Sequence, residues 1–178
     1  MLHGLVTDVV ERVRKYKETH KPNFDRSMSK GLYFLQDKRP DIAEYEFRDA
    51  ISLNPTSSVA WYFFAHSVQK QHDLGIEKLN DKSLEELIGA YHRVIELEPS
   101  AENYYNVAIA FHSLGLHSNE QFLMYKAVKA NPDWELLTRI GLYAKTLESI
   151  HLLDMVNKEL RHRSLTIHLY PYTIASKQ

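Results

Sequence analysis

Ten histidines and no cysteine set what chemistry this sequence could support. Imidazole carries protons near neutral pH and binds transition metals. Two histidines share one face of a helix when three or four residues separate them, and none of the ten stands at that distance from another. His66 and His112 fall at nearly corresponding places in successive segments, so folding could bring them closer than their spacing suggests. They read as structural or surface groups, and no metal or other cofactor is expected. Neighbouring carboxylates such as Glu85 and Glu86 diverge around a helix, and they suit a first turn, where the backbone dipole favours negative charge. Without cysteine there is no thiol nucleophile, disulfide framework, Cys-ligated zinc or iron–sulfur site. The G-x-S-x-G elbow, the G-x-G-x-x-G and phosphate loops and H-E-x-x-H are also missing. Six glycines leave little room for loops that cradle phosphate. The expectation is a protein that is not an enzyme.

The elements that would position any site must therefore carry the argument. At 178 residues the chain is long enough for one domain with a real core. With 44% hydrophobic and 25% charged residues it has the composition of a soluble globular protein. Its 22 Lys and Arg against 23 Asp and Glu lack the basic excess that phosphate backbones demand, so no nucleic acid partner is expected. Lys158, Arg161, His162 and Arg163 read as a solvated helix end. Asp8 and Glu11 interrupt what would be the apolar core of a signal peptide, and no run approaches a membrane span. The expected location is the cytoplasm.

Internal repetition is the main signal. Gly31, Ala65, Ala108 and Gly141 fall in one column, separated by 34, 43 and 33 residues. Larger residues flank each, such as Trp61 and Phe64 around Ala65. Farther on, the first three units carry Phe47, Tyr91 or Met124, then Ala50, Val94 or Ala127, then Pro55, Pro99 or Pro132. A small residue lets two helices approach, a bulky one fills the space beside it, and proline stops the second helix of each pair.

With these residues the chain resembles the tetratricopeptide repeat, a helix–turn–helix of 34 residues with the pattern W-x2-L-G-x2-Y, A-x3-F and P, over roughly residues 24 to 147. Gly31, Phe34, Ala43, Phe47, Ala50 and Pro55 match best in the first unit. Leu87 and Glu120 stand where the family prefers alanine. The resemblance implies an all-α fold, a helix-turn-helix repeat solenoid with the right-handed superhelix of that family. The whole chain reads as a single domain, with repeats at 24–57, 58–100 and 101–133 and a degenerate repeat or capping helices at 134–162. Residues 1–20 have the apolar spacing of an amphipathic capping helix. The second repeat carries an insertion within 72–82. Ser83 and Glu86 form an S-x-x-E capping box that would start its second helix near Leu84. The last helix is expected over 148–162. In the extended tail, 163–178, Leu165, Ile167 and Leu169 alternate with polar residues, so it is expected to dock on its own repeats or to join two copies as a homodimer.

In the resembled family the concave face of the first helices binds ligands. Carried over position by position, the peptide-binding candidates are Tyr62, Phe63 and His66, with Gln69 continuing that face, then Tyr105, Asn106, Ile109 and His112, then Arg139 and Leu142. Met28, Leu32 and Tyr62 occupy places where some family members hold carboxylates with a basic clamp, so an acidic peptide is not expected. An apolar peptide or helix of a partner protein suits this aromatic surface. The leading expectation is a noncatalytic protein–protein interaction module, an adaptor. Two alternatives are an assembly or secretion chaperone that shields a client segment and a histidine-based metal protein or enzyme. The aromatic residues could also be core covered by the same chain.

Overall fold

The computed structural model describes residues 23–76 and 80–163. The described residues form eight helices and no strands: α1 Phe24–Gln36, α2 Pro40–Leu53, α3 Ser58–Asp73, α4 Asp81–Leu97, α5 Ala101–Ser113, α6 His117–Lys129, α7 Trp134–Thr146 and α8 Ile150–His162. No described helix is long and apolar enough to cross a membrane. The expected N-terminal helix and the tail beyond Arg163 lie outside the described residues.

Local chemistry explains where the helices begin. Each odd-numbered helix opens on a side-chain cap: Asn23 accepts from the amides of Asp25 and Arg26, Ser57 from Ala60, Ser100 from Asn103 and Asp133 from Leu136. Such a cap satisfies donors that have no partner within the helix. Pro55, Pro99 and Pro132 lie one or two residues before three of these caps, so each boundary both stops one helix and starts the next. Trp61 reinforces the first boundary by donating its indole N–H to the Pro55 carbonyl at 2.9 Å.

The turns inside the helical pairs repeat one geometry. Lys38, Gly75, Gly115 and Glu148 all have left-handed φ, between 52° and 74°. After each, the next amide reaches back five residues, from Arg39 to Phe34, Ile76 to Gln71, Leu116 to Phe111 and Ser149 to Ala144. These bonds satisfy the last carbonyls of the first helix and fix how the second helix leaves it. Glu148 is therefore in the turn, and the final helix starts at Ile150 behind a Ser149 cap, two residues later than the spacing predicts.

The start of α4 also departs from expectation. Its cap is Asn80, whose Oδ1 accepts from the Ser83 amide at 3.0 Å while the Ser83 hydroxyl accepts from the Asn80 amide at 2.8 Å. The reciprocal box is Asn80 with Ser83, and the helix begins at Asp81 rather than near Leu84. Glu86 instead accepts from Arg48 at 2.8 Å. Part of the insertion lengthens α3, which has 16 residues where α1, α5 and α7 each have 13.

The described residues divide into two compact units, with the boundary between Arg93 and Val94. In the first, α2 packs against both α1 and α3. Ala43, Phe47, Ala60, Phe64, Ala65, Leu87 and Tyr91 are its fully enclosed centre. In the second, α5 pairs with α6 and α7 with α8, and α6 touches α8. Val107, Ala108, Phe111, Met124, Leu137, Ile140, Val156 and Leu160 fill its interior. Burial of each large side chain contributes about 1.5–3 kcal/mol, and the small residues are what allow the helices close enough to make it.

Candidate functional site

Three of the nine candidate binding residues belong to the first unit. On α3, Tyr62, Phe63 and His66 are half-buried. The Tyr62 ring stacks on His66 at 6.0 Å between centroids, with planes 5° apart, and meets Tyr91 edge-on at 6.3 Å. Phe63 stacks on Phe47 at 5.5 Å, so much of its area serves the packing of α3 on α2. Two neighbouring positions face inward. Met28 is buried. Gln69 is buried too, and accepts the Tyr91 hydroxyl at 2.7 Å.

The other six lie in the second unit, on α5 and α7. The Arg139 guanidinium sits 4.7 Å from the centre of the Tyr105 ring and donates to Glu102 at 3.0 Å. Tyr105 meets Tyr143 edge-on at 6.5 Å, and Tyr143 meets His112 edge-on at 5.7 Å. The structure thus joins Arg139, Tyr105 and His112 through Tyr143, a residue the repeat pattern did not single out. Asn106 and Ile109 are half-buried, and Leu142 is 53% exposed.

His112 leads from this face to a polar cluster. Its centre is Glu120, 2% exposed in the first turn of α6. The repeat pattern puts alanine there, and a buried carboxylate is costly unless paired and fully hydrogen-bonded. Three groups meet that need. Nδ1 of His112 lies 2.9 Å from Oε2, Nδ1 of His117 lies 3.3 Å from the same oxygen, and the Tyr143 hydroxyl donates to Oε1 at 2.8 Å. Burial pushes the carboxyl upward, but the bonds from His112, Tyr143 and His117 outweigh it and hold Glu120 below the usual carboxylate range. An ionised carboxylate only accepts, so each facing imidazole nitrogen carries a proton. Burial and the Glu120 charge together push the Tyr143 hydroxyl well above the ordinary tyrosine range.

The sequence contained a partial signal for this cluster. Glu120 breaks the alanine column, and His117 precedes it by three residues, one helical turn. Only the fold adds His112, across the turn, and Tyr143 from α7. A cleft of about 620 Å³ opens beside the cluster, lined by His112, His117, Glu120, Tyr125, His151 and Met155 among others.

No family model matches the chain, and no curated protein matches its sequence. Solved structures do. Two crystal structures of MamA, a helical repeat protein, are similar to it, each with a TM-score of 0.58 at 18% identity. One match covers 85% of this chain and 86% of the other, and the second covers 96% and 91%. Identity that low bears on architecture alone, and the architecture is an all-helical, tetratricopeptide-like repeat of packed helix pairs.

Proposed function

We propose that the chain is a noncatalytic protein-interaction module that takes an apolar helix or extended segment of a partner protein on the face formed by α5 and α7. The observation that carries this reading is the state of that face. Leu142 is 53% exposed one turn beyond Arg139, while Tyr105 and Arg139 are already held in place by each other and by Glu102. A large apolar side chain in water gains by being covered, and neighbours that are already ordered lose little entropy when a ligand arrives. Tyrosine and arginine are also the side chains that most often anchor such contacts. The repeat fold supports the reading because hairpin stacks expose their first helices as a continuous surface.

Peptides selected from a random library on the purified chain test this. They should be apolar or amphipathic, and Leu142→Asp should weaken them about tenfold, the equivalent of one well-placed apolar contact. Leu142 is exposed, so the helical circular dichroism should not change. A selected set that is uniformly acidic, or one that binds Leu142→Asp as well as the parent chain, rejects the proposal.

A further inference from the structure

His112, His117 and Glu120 place three potential ligand atoms within 4.8 Å of one another. We propose that this cluster binds one divalent transition-metal ion, of which Zn2+ is the representative, through Nδ1 of His112, Nδ1 of His117 and Oε2 of Glu120.

Two of the three ligand–ligand distances are close to what such an ion requires. Zinc held tetrahedrally at about 2.0–2.1 Å sets neighbouring ligand atoms about 3.3 Å apart. The two imidazole nitrogens stand 2.9 and 3.3 Å from the carboxylate oxygen, so two edges of the ligand triangle already have nearly that length. Binding would replace the two N–H donations by two metal–nitrogen bonds, each neutral ring keeping one proton, now on Nε2. The ion would take over from those donors the stabilisation of the Glu120 carboxylate.

The chain also holds the ligands in place. His112 closes the last turn of α5, and His117 and Glu120 open α6, so the ion would clip the two helices of one hairpin across their turn. Tyr143 binds the other carboxylate oxygen, Oε1, and fixes the plane in which Oε2 is offered. Hydrogen bonds of this kind to a ligating carboxylate orient it and tune its affinity. All three ligands line the 620 Å³ cleft, so water or a donor from a bound partner can reach the remaining coordination position. Two imidazoles and one carboxylate select for zinc, cobalt, nickel or copper over magnesium and calcium, which prefer all-oxygen sites.

The test uses the untagged full chain, freed of metal by a chelator and titrated with zinc chloride in excess magnesium. One ion should bind per chain and should raise the thermal unfolding midpoint, because the assembled site exists only in the folded state. His117 is exposed, so His117→Ala should keep the helical spectrum and lose the bound ion. Tyr143→Phe should weaken binding about 10- to 100-fold. His92→Ala, at an exposed position on α4, should leave affinity unchanged. Cobalt(II) should give visible bands in the parent chain and none in His117→Ala. The proposal is overturned if no stoichiometric ion binds, or if His117→Ala binds zinc as tightly as the parent.

Discussion

Gly31 lies so close to Phe47 that a Cβ built on it would meet the ring at 2.5 Å. Phe47 is fully buried and is backed by the stacked ring of Phe63, so it has no open space to move into. Gly31→Ala gains about 1 kcal/mol of helix propensity but forces an overpacked contact that costs about 1–3 kcal/mol. The contact should win, giving a net loss of up to about 2 kcal/mol in urea unfolding. A variant more stable than the parent would mean that the ring can swing away.

Asn80 and Glu86 offer a direct comparison at the start of α4. Asn80→Ala removes the cap on the Ser83 amide and should cost about 1 kcal/mol. Glu86→Ala removes only an exposed pair with Arg48 and should cost about 0.2–1 kcal/mol. Denaturant midpoints of the two variants should fall in that order. The reverse order would restore Ser83 and Glu86 as the capping pair.

The repeat was legible because packing imposes it. Gly31, Ala65, Ala108 and Gly141 are all buried, as are Phe47, Tyr91 and Met124, since two helices can approach only at small residues and the gap beside them must be filled. Helix ends were less legible. Asn80 and Ser83 are both good caps, and nothing in sequence decides which one opens the helix. The turn residues Lys38 and Glu148 carry no mark of left-handed backbone, which Gly75 and Gly115 would suggest only in part. The Glu120 cluster was hardest to see. The glutamate visibly broke the pattern, but two of its partners stand eight residues before it and 23 after it, and only the fold brings them together.

The four equivalent turns predict opposite responses to glycine. Glu148 holds φ 52° with a side chain, a conformation that costs L residues about 1–2 kcal/mol. Glu148→Gly should therefore stabilise the chain by about 0.5–1 kcal/mol once the greater freedom of glycine in the unfolded state is subtracted. Gly115 has φ 74° and nothing within 4 Å of an added Cβ, so Gly115→Ala isolates the backbone cost and should destabilise by about 1 kcal/mol. Thermal midpoints that move the same way in both variants would show that the turns are not equivalent.

Burial lowers the His66 pKa below its ordinary value of 6.5, the nearby Lys70 charge lowers it further, and Asp73 opposes both. Between the lowered value and 6.5 the unfolded chain holds the proton more tightly than the folded one, so stability rises with pH across that interval. The contribution is complete above the unfolded pKa and is lost as pH falls through the folded one. The parent chain should lose urea resistance as pH falls below about 6.5 and through the lowered value, and His66→Gln should lose less because its side chain does not titrate. The other histidines act in both proteins, so the difference between the two profiles belongs to residue 66. Parallel profiles would mean that water reaches His66 beside Tyr62 more freely than the stacked rings imply.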